Sequence, residues 1–326
     1  MRRRTFIASL FLVAAHPARA QRRPARIGFL ATRSDTHDSH VFFDAFKQGM
    51  GEHGYVDGRD VVIEVRGADG MVERFPDRAR ELVDLDLDLV VATNSLAARA
   101  MQEATAVVPI VVAVMGDPVG DGLVASLAHP GGNITGLTFL GPALVPKRLA
   151  LLKEAMPALS RVAALWHPGA YGERTMSTMT KEAEEAAHGL RIDLRFVAAR
   201  GPHEISGAFG TISSERADAL LVFPSPMLFA ERRQVVELSS SHRLPSMSMG
   251  REFAELGGLM SYGASLLDLH RRAAGLVDRI LKGDKAEQLP VQVPTKFDFV
   301  INLKTAQALD IAIPPTLLAR ADEVIE

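Results

Sequence analysis

The chain has 326 residues, 47% hydrophobic and 23% charged, with 26 Gly and 18 Pro; this is a globular composition with room for two ordinary domains, not a disordered or fibrous one. A formal net charge of −2, with no basic run to offset it, excludes a nucleic-acid footprint. The absence of cysteine excludes disulfide scaffolds, thiolate metal sites, iron–sulfur clusters, cysteine nucleophiles and a lipid-bearing cysteine.

The first twenty residues read as a secretory leader. Arg2, Arg3 and Arg4 form the charged start, residues 6–15 are apolar, and Ala18-Arg19-Ala20 fits the small-x-small cleavage rule, so the mature chain is expected to begin at Gln21. Arg3-Arg4-Thr5-Phe6-Ile7 also fits a twin-arginine signal, so both the general and the folded-protein export routes stay open. No later run has the length of a membrane helix, so the expectation is an exported chain without membrane insertion.

From Arg26 onward strand and helix patterns alternate. RIGFLA is a strand, and residues 41–53 place Phe42, Ala45, Phe46 and Met50 at helical spacing before Gly54. DVVIEVRGA, a helix through 78–85, LDLVVATN, a helix over 95–105 and PIVVAV follow. Near-continuous Val, Ile and Leu runs indicate strands buried on both faces of a parallel sheet. The same order then recurs: RVAALWHP, helix 175–188, IDLRFVAA, helix 203–213, ADALLVFPS, helix 228–241 and LPSMSM. Strand centres pair at a nearly constant spacing, Ile27 with Val162, Ile63 with Leu194, Val90 with Leu221 and Ile110 with Ser246. The fold expected is therefore α/β, with two doubly wound parallel-sheet lobes rather than one large sheet. GGLMSYG, a long amphipathic helix over 266–281 and VQVPTKFDFVIN come after the second repeat. If the chain crosses back here, the lobes share a multi-segment hinge. The division expected is 25–138 plus 259–287 for one lobe and 139–258 plus 288–326 for the other.

In open α/β sheets ligands bind where strand C-termini and helix N-termini face a crevice. Thr93-Asn94-Ser95 stands at such an end: Asn94 or Ser95 suits a helix cap, while the Thr93 and Ser95 hydroxyls and adjacent N–H groups suit a carboxylate. Asp117, before Pro118, is either a turn residue or the partner of a ligand ammonium group. Ser225 lies in the rigid Phe223-Pro224-Ser225-Pro226 turn, and Tyr171 and Tyr262 fall at crevice edges, where they either stack on a planar ligand or pack the rim. Trp166 reads as core. His37, Asp38 and His40 lack partners at metal-ligand spacing and read as a solvated loop, and HPGGNITG reads as a turn leading into a strand rather than a phosphate cradle. No nucleophile elbow, Walker loop or zinc-protease pair is present, so neither an enzyme nor a bound cofactor or metal is expected.

The strings GDPVGDGLVASLAHPGGNITGLT, RADALLVFPSP, GGLMSYG and FVINLKTAQALDIAIPPTLLARADEVIE resemble the periplasmic substrate-binding proteins of ABC transporters, in the tryptophan/tyrosine-type uptake group. The resemblance runs from about Arg26 to the C-terminus. It implies a type I periplasmic binding fold with three crossovers and a hinged cleft, acting as a monomer that hands a small solute to permease subunits. It further implies an amino acid, aromatic in some relatives, or a related carboxylate as the ligand. On this resemblance Thr93, Asn94 and Ser95 face the ligand carboxylate, Asp117 faces its ammonium group, and Ser34, Tyr171, Ser225 and Tyr262 line the side-chain pocket. Asn94 stands where small residues are common in the group, which narrows the site. Two other classes stay open: a ligand sensor docking on a membrane receptor, and an exported α/β hydrolase, for which no catalytic constellation is visible.

Overall fold

The computed structural model describes residues 23–33 and 37–326; the leader with its expected cleavage point, Ser34, and the side chains of His37 and Asp38 lie outside the described residues. The first half of the chain runs β1 (Ala25–Ala31), α1 (His37–Glu52), β2 (Val61–Gly67), α2 (Phe75–Val83), β3 (Leu89–Ala92), α3 (Ser95–Ala104), β4 (Ile110–Met115) and β5 (Ile134–Thr138). Then follow α4 (Val145–Ala155), β6 (Arg161–Trp166), α5 (Glu173–Gly189), β7 (Asp193–Ala198), α6 (Ile205–Ser214) and β8 (Ala219–Val222). After these come α7 (Pro226–Ala230), α8 (Arg232–Ser241), β9 (Ser246–Ser248), α9 (Arg251–Glu255), β10 (Met260–Ala264) and α10 (Leu266–Leu281). The chain closes with β11 (Phe297–Asn302), α11 (Leu303–Ala308), α12 (Pro315–Leu318) and β12 (Glu323–Ile325).

Two sheets result. In the first, β1 pairs in parallel with β2, Ile27 opposite Ile63, and with β3, Ile27 opposite Leu89, and the order is β2-β1-β3-β4-β5. In the second, β6 lies between β7 and β8 in the same way, Val162 opposite Leu194 and Ala219, within the order β12-β11-β10-β9-β8-β6-β7. The sets β2-β1-β3-β4 and β7-β6-β8-β9 repeat one winding, as the paired strand centres of the sequence imply. Alternate side chains feed opposite faces: Leu89 and Val91 enter one core, Val90 and Ala92 another. Ala219 and Leu221 likewise face away from Leu220 and Val222. Period-two burial on both faces explains why these segments read as unbroken apolar runs.

The hinge differs from the expected division. Residues 259–287 do not all belong to the first lobe, because β10 lies between β9 and β11 in the second sheet, as the counterpart of β5. Only after Ser265, which caps α10 through Oγ at 3.5 Å from the Asp268 amide, does the chain return to the first lobe. There α10 buries Leu269, Ala273, Leu276 and Val277 against α1, β4 and β5. Its backbone touches α1 so closely that a Cβ on Gly49 would sit 2.1 Å from the Arg271 carbonyl oxygen. Residues 288–292 also stay with the first lobe, since Gln292 N and O bond to Gly136 O and Thr138 N at 2.9 Å each. The second sheet resumes with β11, which runs antiparallel to β10. The lobes are thus joined three times. At the hinge the fully buried Arg148 of α4 donates from Nη1 to Gly141 O at 2.9 Å, in the first crossing. It donates from Nε to Tyr262 O at 2.7 Å, in β10 beside the second.

A second difference concerns the helix expected over 228–241. It is two helices, α7 and α8, broken at Glu231, whose φ of −97° and ψ of 18° lie outside helical geometry. The break turns the Glu231 side chain into the space between the lobes.

Candidate functional site

Between the lobes lies a cavity of 340 Å³, a size that suits one small ligand. The first lobe contributes Thr32 and Arg33 after β1, Thr93, Asn94 and Ser95 after β3, and the faces of α1 and α10 that carry Phe42 and His270. The second contributes Tyr171 after β6, Ser225 after β8, the α7–α8 junction and Met249 after β9.

The start of α3 shows how capping and ligand roles divide. Asn94 is nearly buried, and its Oδ1 accepts from the Leu96 and Ala97 amides at 3.0 and 3.1 Å, which makes it the helix cap. Its Nδ2 donates to Thr32 Oγ1 at 2.9 Å and Thr93 Oγ1 at 3.2 Å. Both ends of the amide are therefore spent on the protein. What α3 presents to the cavity is its positive end, the Ser95 amide and the remaining protons of Thr32 and Thr93. Ser95 Oγ accepts from the Gly116 amide at 3.1 Å, which leaves its own O–H to donate.

Across the cavity, Ser225 caps α7, with Oγ 3.3 Å from the Leu228 amide and 3.3 Å from His167 Nδ1. Burial holds His167 below the usual imidazole range. Tyr171 is buried with its ring on Gly116, where a Cβ would lie 2.3 Å from Cε1, so glycine is what lets the ring reach this wall. Burial pushes its phenol up, and the hydroxyl stays protonated.

The walls the sequence did not reveal are aromatic and charged. Phe29, Phe42, Phe139 and Phe229 line the cavity, from β1, α1, the first crossing and α7. Phe42 lies 5.8 Å from Phe229, an aromatic contact between the lobes. Arg33 of the first lobe meets Glu231 of the second at 3.1 Å. Arg232 stacks over Phe229 at 4.7 Å and donates to its carbonyl at 2.9 Å. Among the described lining residues the charged groups are Arg33, Arg232, Arg233 and Glu231.

Two expected residues are not brought into the cavity. Asp117 Oδ1 accepts from the Gly120 amide at 2.8 Å, and Oδ2 lies 3.4 Å from Thr175 Oγ1 of the second lobe. These contacts tie the carboxylate into its turn, outside the cavity lining, in keeping with the turn reading. Nearby, the buried Asp121 accepts from the Gly172 amide at 2.9 Å, so the Asp117–Asp121 turn clasps the start of α5 across the lobes. Burial raises the Asp121 carboxyl above its usual range, the Gly172 bond opposes this, and the Asp117 charge adds to it. Tyr262 packs inside the second lobe, stacked 6.1 Å from Phe297 and edge-on to Phe299 at 6.2 Å, in keeping with packing rather than ligand contact. Trp166 packs edge-on against Phe196 at 5.8 Å. Among the described residues no group of three or more His, Asp or Glu could hold a metal. No described helix is long and apolar enough to cross a membrane.

Known proteins are similar to this chain in sequence and fold. A tyrosine-binding protein of Clostridioides difficile is 25% identical over 280 residues, 83% of this chain and 78% of that protein. The crystal structure of an ABC domain of Streptococcus pneumoniae in complex with L-Trp is 28% identical with a TM-score of 0.84, over 93% of this chain and all of that one. A conserved domain protein of Vibrio cholerae is 26% identical with a TM-score of 0.85, again over 93% of this chain and all of that one. The pattern of the ABC transporter substrate-binding protein family matches residues 35–325. The fold is the type I periplasmic binding fold, and the chain belongs to the ABC transporter substrate-binding protein family, one of binding proteins rather than enzymes.

Proposed function

We propose that this protein is exported to the periplasm by its leader and, as a monomer, captures an aromatic amino acid or related aromatic carboxylate for an ABC permease. The aromatic wall of the cavity beside the positive end of α3 carries this reading. Phe29, Phe42, Phe139 and Phe229 suit a planar ring, and the Ser95 amide with the Thr32 and Thr93 hydroxyls suits a carboxylate. The tyrosine-binding relative and the L-Trp complex support the ligand class. Arg33–Glu231 and the clasp of Asp121 on Gly172 form only when the lobes meet, so a ligand touching both lobes shifts the population toward closure.

A thermal-shift screen of amino acids and aromatic carboxylates, followed by calorimetry, tests the ligand. Aromatic carboxylates are expected to stabilise the protein by about 2.7 kcal/mol at a hundredfold excess over Kd. Stabilisation by non-aromatic solutes alone refutes the reading. Intact mass of periplasmic protein tests export: a chain starting at Gln21 supports it, and a full-length cytosolic chain refutes it.

A further inference from the structure

His270 of α10 is buried at the cavity wall. Its Nδ1 lies 2.8 Å from the Leu266 carbonyl oxygen one helical turn back. A carbonyl can only accept, so Nδ1 carries the proton and Nε2 is left as a bare lone pair. No donor among the described residues reaches Nε2. Burial holds the imidazole down at about 4, so the ring stays neutral near pH 7 and keeps that acceptor. The ring packs 4.9 Å from Phe42, which packs against Phe229, and Leu266 and Met249 line the same cavity. Among the described residues, Nε2 is thus a hydrogen-bond acceptor offered beside the aromatic part of the cavity wall. A ligand that brings a donor satisfies it, whereas a plain hydrocarbon ring covers it and offers no hydrogen bond in return.

We propose that His270 Nε2 sets specificity by accepting a hydrogen bond from a phenolic O–H or an indole N–H, so that aromatic carboxylates with a ring donor are preferred over those without. This deepens the aromatic-carboxylate reading and rests on it. A site built to receive a ligand O–H or N–H rejects the analogue lacking it far more strongly than a hydrophobic pocket rejects a change of shape.

Two matched pairs test the proposal by calorimetry: L-tyrosine against L-phenylalanine, and L-tryptophan against its indole N-methyl derivative. In the wild type the donor-bearing member of at least one pair is expected to bind about tenfold tighter or more. In His270→Phe that ratio is expected to collapse to about twofold or less. Nitrogen-15 spectra of histidine-labelled wild type give an independent readout should His270→Phe fail to fold. They are expected to show the Nδ1–H tautomer, with the Nε2 signal moving when the donor-bearing ligand binds. Equal binding within both pairs, a ratio that survives in His270→Phe, or an Nε2–H tautomer overturns the proposal while leaving the aromatic reading intact. Failure of all four compounds to bind overturns both.

Discussion

Replacing Asn94 by Asp separates helix capping from ligand binding at the start of α3. The new side chain keeps an oxygen for the Leu96 and Ala97 amides, now at 3.0 and 3.1 Å. A carboxylate at a helix N-terminus also gains about 0.3–1 kcal/mol from the helix field. Its second oxygen takes the place of Nδ2, and the Thr32 and Thr93 hydroxyls, 2.9 and 3.2 Å away, rotate from accepting to donating. Stability is therefore expected to stay within about 1 kcal/mol of wild type. Affinity is not spared. A ligand carboxylate at the Ser95 amide would lie about 6 Å from the new charge, where like charges at an effective dielectric of about 20 repel by about 2.8 kcal/mol. That is roughly a hundredfold in Kd, before counting the two hydroxyls drawn away from the ligand. Asn94→Ala is the control: it loses the cap, about 1 kcal/mol of stability, and adds no charge. Calorimetry with an aromatic carboxylate and urea unfolding of both variants provide the assay. Wild-type affinity in Asn94→Asp would show that no ligand carboxylate sits at α3.

Asp117→Asn keeps the oxygen that accepts from Gly120 and relieves the charge beside Asp121. Its Kd for an amino acid is expected within about twofold of wild type, with melting unchanged or higher; a loss of about a hundredfold would restore the ammonium role. Glu231→Gln breaks the partly exposed pair with Arg33, worth about 0.2–1 kcal/mol, so affinity is expected to weaken by no more than about fivefold, with more open lobes in small-angle scattering. No change in either measurement would show that the pair does not hold the lobes together. Glu252 has a buried, unpartnered Oε2, and burial pushes its carboxyl up to about 7, against its own amide and Arg232. A carboxyl raised in the fold favours the protonated native state, so its stabilisation is complete below the unfolded value and is lost as pH rises through 7. Glu252→Gln is accordingly expected to match wild type at about pH 5 and to resist urea better at about pH 8, and an equal difference at both pH values would refute this.

Much of the architecture is local in origin. Strands buried on both faces are spelled as Val, Ile and Leu runs, and the period shifts to 3.6 in the helices between them, so the repeated winding of β1–β4 and β6–β9 follows from the chain alone. Chain order also placed Thr93, Asn94, Ser95 and Ser225 at strand ends that face the cleft. What a residue does there depends on which way its polar atoms turn. Asn94 turns back to cap α3 and brace Thr32, and Asp117 turns to Gly120, because near backbone donors are always at hand while a ligand is not. The aromatic wall had no local signature: Phe29, Phe42 and Phe229 each resemble core residues of their own strand or helix. They meet only because the lobes close on one another. The placement of β10 with β11, and of α10 with α1, required the chain to leave one lobe and return to the other. That choice is made by long-range packing, the close approach of Gly49 to Arg271 among it, and it is what carries His270, with a tautomer set inside its own helix, to the edge of the cavity.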